Sequence, residues 1–304
     1  AVVLVGGKGT RLRPLTLSAP KPMLPTAGLP FLTHLLSRIA AAGVEHVILS
    51  TSYQAATFEA EFGDGSKLGL QIEYVTETDP LGTGGGIANV APRLRNDTVM
   101  VFNGDVLSGA DLTQMLAAHH DTGAELTLHL VRVSDPRAFG CVPTDDTGRV
   151  LAFLEKTQDP PTDQINAGTY IFNRSIIDRI PRGRAVSVER EVFPALLSDG
   201  VKVCGFVDSS YWRDMGTPED FVRGSSDLVR GLAPSPALGG QRGESLVHDG
   251  ASVAPGAVLI GGTVVGRGAE IGPGVRLDGA VIFDGARIDA GSVVERSIIG
   301  FGAH

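Results

Sequence analysis

Residues 4–16, LVGGKGTRLRPLT, set Gly6, Gly7 and Gly9, then Arg11 and Arg13, directly behind a short apolar run. Glycines at the carboxyl end of a strand let backbone N–H groups approach phosphate oxygens closely, and arginine side chains pair with the same oxygens. The chemistry suits a phosphate. The spacing matches neither G-x-x-x-x-G-K-[ST] nor G-x-G-x-x-G, because Leu12 follows Arg11, so the stretch is not that of a P-loop ATPase or a dehydrogenase. Taken alone, glycines that merely make a tight turn are the alternative.

Three further stretches supply charge. Lys21 stands between Pro20 and Pro22, which stiffen the backbone and present the ammonium from a restrained loop; the ordinary alternative is a solvated lysine. Asp105 follows the apolar run VMVFN, at the carboxyl edge of a predicted strand, where an aspartate otherwise caps a turn. Asp214, in YWRDMGTPEDF, sits beside a glycine turn and ahead of a proline-led helix start. Two loop carboxylates near a phosphate site are what Mg²⁺ needs, since it binds one or two carboxylates together with substrate phosphates.

The elements that must position these groups follow from periodicity. Up to about residue 200, short β-branched runs (AVVLV, HVILS, TVMVFN, LTLHLV) alternate with helical patterns (FLTHLLSRIAAAG, DLTQMLAAHH), which predicts βαβ units around a largely parallel sheet. In the first helix Phe31, Leu32, Leu35, Leu36 and Ile39 share a face, and Gly43 is the expected C-cap. The stretch 80–88, PLGTGGGIA, reads as a glycine-rich turn. A catalytic domain over residues 1–230 is expected to end at the Pro/Gly/Ser-rich linker 231–243. Over 244–304 the period becomes six: Val247, Val253, Leu259, Val265, Ile271, Leu277 and Phe283 keep one phase, while Gly256, Gly262, Gly268 and Gly274 keep another. Such hexapeptide repeats stack aliphatic residues inside a parallel β-helix and turn its corners at glycine. The phase slips after Phe283, where Ile288 and Val294 continue a neighbouring one. The chain starts inside a strand and stops in mid-repeat, so residues are expected before Ala1, and a cut end or a second subunit is expected beyond His304.

Composition narrows the classes. The 304 residues carry a formal net charge of −8, which excludes a broad basic surface for nucleic acid; any anion site must be local. No run approaches ~18 apolar residues, so no membrane-spanning helix is predicted. Cys141 and Cys204, the only cysteines, are read as reduced packing residues, consistent with a cytoplasmic setting.

In order along the chain, GGKGTRLRPLT, PKPML, FNGDV, FLEKT, NAGTY and YWRDMGTPEDF resemble the sugar-1-phosphate nucleotidyltransferases. Within that family, PLGTGGGIA and SVEREVFPAL are similar to the branch that joins GTP to mannose 1-phosphate. The resemblance implies a Rossmann-like mixed sheet followed by a left-handed β-helix. It implies Mg²⁺ as cofactor, with Asp105 and Asp214 as ligands. Residues 6–11, including Gly6, Gly7, Gly9 and Thr10, would cradle the triphosphate, with Arg11 and Lys21 on phosphates and Gly82 and Thr83 in the nucleotide loop. Gly140, Glu155, Asn166 and Gly168 would frame the sugar, and Lys156 would bind its phosphate. Thr157 stands where the family commonly has proline, which alters loop stiffness more than chemistry.

Glu77 precedes Gly82 in the nucleotide loop, where related thymidylyltransferases place glutamine. Its carboxylate could accept from guanine N1–H and N2–H₂ together, the alternative being a surface glutamate. No motif centres on histidine, and the attacking phosphate is already ionised at neutral pH, so no general base is expected. A homo-oligomer built through the β-helix is expected. The rival readings are a glucose-1-phosphate nucleotidyltransferase using another NTP, a non-catalytic sugar-nucleotide-sensing subunit, and an acyltransferase, for which the β-helix carries too few histidines.

Overall fold

A computed structural model of the chain describes every residue except Lys8, Tyr53 and Gln241. Lys8 belongs to the first glycine motif and Gln241 to the expected linker, and both lie outside the described residues. Packing divides the chain into two compact units: Ala1–Gly6, Ala42–Val106 and Ala110–Trp212 form the first, and Gly7–Ala41, Leu107–Gly109 and Arg213–His304 the second.

The first unit is built on a nine-stranded mixed sheet. At its centre β1 (Val2–Leu4) pairs in parallel with β2 (His46–Thr51) on one side and β4 (Thr98–Asn103) on the other, while β3 (Gln71–Thr76) extends the sheet beyond β2. The near-continuous apolar runs of these strands follow from coverage of both sheet faces; Val2, Val3, Ile48 and Val101 are fully buried. Strand β6 (Gln164–Asn173) lies antiparallel between β4 and β5 (Leu126–Arg132), and β7 (Val203–Asp208) runs parallel to β5. Antiparallel β6 makes the sheet mixed, whereas alternation alone indicated a largely parallel one. A core of aliphatics is centred on Phe193, whose ring lies 5.1 Å from Phe153 and 5.3 Å from Tyr170.

The chain returns from β3 at one side of β1 to β4 at the other, so the strand order reverses beside β1. Loops leaving the carboxyl ends of strands at such a point diverge and open a crevice, the usual ligand position of open α/β sheets. Gly6 and Gly104–Asp105 leave there. Gly104 N–H donates to Leu4 O at 2.9 Å, and a Cβ on Gly104 would stand 2.6 Å from Val5 and 2.7 Å from Leu4 O. Only glycine lets β4 turn against β1 at that point.

The second unit holds α1 (Phe31–Ala41), α3 (Pro218–Val229) and the repeats. The apolar face expected on α1 is buried throughout, and Gly43 takes φ 81° just beyond its end. The repeats form three parallel sheets, the faces of a β-helix, enclosing Val265, Ile271, Leu277 and Ile282. Gly256, Gly262, Gly268 and Gly274 all have φ between 64° and 81°, the left-handed corners that the sixfold glycine pattern requires.

The phase slip has a structural form. Val247 pairs with Val265 and Val253 with Ile271, eighteen residues on, whereas Val265 pairs with Ile282 and Ile271 with Ile288, seventeen on. One coil is a residue shorter, so Ile282 takes the interior place expected for Phe283. Phe283 turns outward, 6.3 Å from Phe221 of α3 and 4.7 Å from Phe301. Among the described residues no helix is long and apolar enough to cross a membrane, and both cysteines are buried free thiols.

Candidate active site

In the second unit the two arms of a cationic cluster converge on Asp214. Lys21 Nζ is 3.8 Å from Asp214 Oδ1 and Arg11 Nη2 is 4.0 Å from Asp214 Oδ2. Lys21 is 9% exposed at its side chain and Arg11 66%. The lysine is therefore a buried charge held by its partner, not the solvated lysine of the alternative reading, while the arginine reaches into solvent. Local sequence explains the placement. Gly9 at φ 57° opens a 3₁₀ turn, Thr10–Leu12, and a Cβ there would meet Thr16 at 2.9 Å and Lys21 at 3.0 Å. Thr16 Oγ1 donates to Gly9 O at 2.9 Å, pinning the loop, and Pro20 and Pro22 hold Lys21 at the head of a second 3₁₀ turn. Gly7 differs: among the described residues a Cβ there meets nothing within 4 Å. Gly216, the glycine of the turn beside Asp214, is also a packing requirement, for a Cβ there would stand 2.7 Å from Asp214 Oδ2 and 2.9 Å from Arg11 Nη2.

In the first unit the nucleotide stretch is a helix, α2 (Gly82–Val90), and not the turn read from its glycines. Close packing overrides low helix propensity here. A Cβ on Gly85 would stand 2.7 Å from Arg184 O, and one on Gly86 would stand 2.8 Å from Glu77 Oε1. The N–H groups of Gly84 and Gly85 donate to Val186 O at 2.8 and 3.2 Å. Thr83 Oγ1 donates to Glu189 Oε2 at 2.8 Å and accepts from Val188 N–H. Gly82 and Thr83 thus brace this region against residues 184–189. Glu77 braces it from the other side, where its Oε2 accepts from Leu81 N–H at 3.0 Å and its Oε1 from Ser50 Oγ at 3.1 Å. It is a half-buried brace, not a surface glutamate. Ser52 Oγ donates to Gly6 O, fixing the start of the glycine loop. Neither serine carries a sequence signal, because each acts across strands.

The expected sugar residues cluster at the opposite end of the same sheet. Residues 166–169, NAGT, form a bulge in β6: pairing with β5 shifts between Asn166 and Tyr170, and Gly168 takes φ 78°. Asn166 Oδ1 accepts from Gly168 N–H at 3.1 Å, and Asn166 Nδ2 donates to the Tyr170 hydroxyl at 2.8 Å. Burial pushes the Tyr170 phenol well above its ordinary pKa, so it stays a neutral hydrogen-bonding group. Asn103 packs against Gly168, and its Oδ1 is buried without a hydrogen-bond partner among the described residues. Gly140 pairs with Glu155 across a short antiparallel ladder, and a Cβ there would strike the Phe153 ring at 2.8 Å. Lys156 adopts φ 52° and its ammonium lies 3.6 Å from Glu155 Oε1, 60% exposed.

Asp105 and Asp214 are hard oxygen donors, and among the described residues no group of three or more His, Cys, Asp or Glu could hold a metal. One stands in each unit, so each by itself offers a single carboxylate, the donor type that Mg²⁺ takes together with substrate phosphates and water.

A glycine-arginine loop off a parallel strand, a buried lysine and an exposed arginine on one carboxylate, and a mixed α/β sheet fit a nucleotidyltransferase. The chain belongs to the nucleotidyl transferase family, which matches residues 1–231, and residues 241–304 match the GMPPB C-terminal domain. It is 82% identical over 260 residues to the mannose-1-phosphate guanylyltransferase of Mycobacterium tuberculosis (strain ATCC 25618 / H37Rv), covering 85% of this chain and 72% of that protein. It is 39% identical over 227 residues to the mannose-1-phosphate guanylyltransferase catalytic subunit beta of Drosophila melanogaster, covering 74% of this chain and 61% of the fly protein. Among solved structures, HddC from Yersinia pseudotuberculosis complexed with GMP-PN superposes with a TM-score of 0.66 at 31% identity, over 75% of this chain and 98% of that one.

Proposed function

We infer that the chain transfers the guanylyl group of GTP to mannose 1-phosphate, giving GDP-mannose and pyrophosphate. A non-bridging oxygen of the sugar phosphate attacks the α-phosphorus of GTP in line, and the bond from that phosphorus to the α,β-bridging oxygen breaks. Pyrophosphate carries off the electron pair. The observation that carries this reading is Asp214 with Lys21 and Arg11 on its two oxygens, since triphosphate chemistry needs cations where negative charge grows.

Arg11 and Lys21 are proposed to hold phosphates, and release of their grip on Asp214 would free its carboxylate for a metal. A divalent metal, Mg²⁺ in this proposal with Asp105 and Asp214 as ligands, would neutralise phosphate charge. Gly6, Gly7, Gly9 and Thr10 would approach the triphosphate through their backbone. Gly140, Glu155, Asn166 and Gly168 would frame the sugar, and exposed Lys156 would take its phosphate. Glu77, Gly82 and Thr83 would act on the nucleotide chiefly by holding the stretch between β3 and α2 in shape. The domain division at the 231–243 linker, assembly of copies through the β-helix and a cytoplasmic setting are part of the same proposal.

The test is pyrophosphate release over a matrix of four NTPs and several sugar 1-phosphates. GTP with mannose 1-phosphate should give the highest kcat/KM; a higher value for glucose 1-phosphate with another NTP would transfer the assignment to that rival.

A further inference from the structure

The second unit contains a cavity of about 680 Å³ that none of the proposed substrate groups line. Arg13, Arg223 and Arg296 border it, against a single carboxylate, Glu219. Glu219 lies 3.6 Å from Arg223 along α3, so it offsets one guanidinium and leaves two uncompensated by the lining. On a chain of net charge −8 such a concentration of arginine is a local positive field, and planar guanidinium groups suit phosphate oxygens bidentately. Leu12, Val222 and Ile298 give the remainder of the lining an apolar character, suited to one face of a ring. Volume, charge and apolar wall together describe a small-molecule site.

The three walls have informative origins. Leu12 and Arg13 continue directly from Arg11. Pro218 and Glu219 follow closely on Gly216, the residue packed against both Arg11 and Asp214. Arg296 lies in the bend between the last two strands of the β-helix and Ile298 in the last; Arg296 holds φ 43° and its N–H donates to Asp278 O, fixing the backbone from which its side chain projects. A molecule spanning these walls would press on both segments that carry the Arg11–Asp214 pair, and would use the β-helix as its fixed side.

We propose that this cavity binds a phosphorylated small molecule with an apolar-faced ring, and that its occupancy adjusts the Arg11–Asp214 pair. The second half rests on the reading of Arg11 as a triphosphate ligand; the first half does not. Occupancy would reach the nucleotide through the 3₁₀ turn Thr10–Leu12, whose Leu12 N–H is bonded to Gly9 O. The β-helix then contributes to control of the chemistry as well as to assembly.

The experiment uses the full chain with a hexose 6-phosphate as probe, since it offers phosphate and ring but no anomeric phosphate to react. Calorimetric titration is run with saturating GDP-mannose present to fill the active site. One probe is expected to bind per chain, with affinity lowered about tenfold or more in Arg296→Ala and in Arg223→Ala, each removing a charged phosphate contact. Both variants should keep wild-type kcat and KM without probe. In the wild type alone, the probe should change the apparent KM for GTP about threefold or more, in line with typical coupling between sites. Absence of binding up to about 10 mM, or binding abolished by GDP-mannose or untouched by both substitutions, would overturn the site. Inorganic phosphate binding as tightly as the hexose 6-phosphate would overturn the role of the apolar wall. Binding with no kinetic change would overturn the coupling, whatever Arg11→Ala does on its own.

Discussion

Lys21 Nζ stands 3.8 Å from Asp214 Oδ1, inside a side-chain environment that leaves the lysine only 9% exposed. Removing the Asp214 carboxylate takes a compensating charge from a buried ammonium, whereas removing Lys21 leaves Asp214, 27% exposed, with Arg11 still 4.0 Å away. The pair is 193 positions apart in sequence, and its geometry belongs to the second unit alone.

Asp214→Asn and Lys21→Met should each lower kcat by about 10²-fold or more, the scale of losing one charge-stabilising group in a phosphoryl-type transfer. Steady-state pyrophosphate release at saturating Mg²⁺ reads the effect, with circular dichroism confirming the fold. Near-normal turnover in either variant would remove that residue from the chemistry.

Gly216→Ala tests the same pair from a neighbouring position. The added methyl would sit 2.7 Å from Asp214 Oδ2 and 2.9 Å from Arg11 Nη2, both ends of side chains that can swing away. Folding should therefore tolerate the change while turnover falls, by about tenfold for a displacement of this size. Thermal melting and kcat measured side by side separate the two effects. A large drop in melting temperature with unchanged kcat would show that Gly216 serves packing only.

Glu77→Gln distinguishes bracing from base reading. Because the carboxylate accepts from Leu81 N–H and Ser50 Oγ, an amide that keeps its oxygen on Leu81 N–H turns its NH₂ to Ser50, whose hydroxyl must reverse from donor to acceptor. Exchanging charge-assisted hydrogen bonds for neutral ones should cost about 1 kcal/mol. It should raise KM for GTP and ITP in parallel. A selective loss of GTP preference over ITP, which lacks the 2-amino group, would show that Glu77 contacts guanine directly.

His34 gives the pH dependence of stability a definite sign. It is fully buried, and burial lowers its pKa from 6.5 to about 4; Nε2 donates to Thr26 O at 2.9 Å while Nδ1 accepts from Ser235 Oγ at 2.7 Å. The unfolded chain therefore binds a proton that the folded chain does not. Stability from this residue is complete above pH 6.5 and is lost as pH falls towards 4, by about 3 kcal/mol at most. Denaturant titrations across that range should show the slope in wild type and a flatter profile in His34→Gln. Equal slopes would assign the acid sensitivity elsewhere.

Much of this protein is local and hence legible in its residues. The sixfold step of Val247 to Leu277 needs only the repeat of a single coil, and the β1 and β4 runs need only apolar continuity, because each pattern is set by the period of the backbone itself. The motifs that carry charge were also readable, since Arg11, Lys21, Asp105 and Asp214 each sit next to a turn that glycine or proline marks.

What the tertiary structure decided lies in contacts between distant segments. Lys21 could be solvated or buried until Asp214 was placed beside it. The glycines of residues 82–86 read as a turn until Val186 and Arg184 came close enough to exclude any Cβ and leave a helix. Phe283 kept the inward phase in sequence, yet a coil shortened by one residue gave its interior place to Ile282 and left the ring against Phe221. Each outcome depends on which side chain or carbonyl arrives from far along the chain, and hard-sphere packing is settled only when both partners are in place.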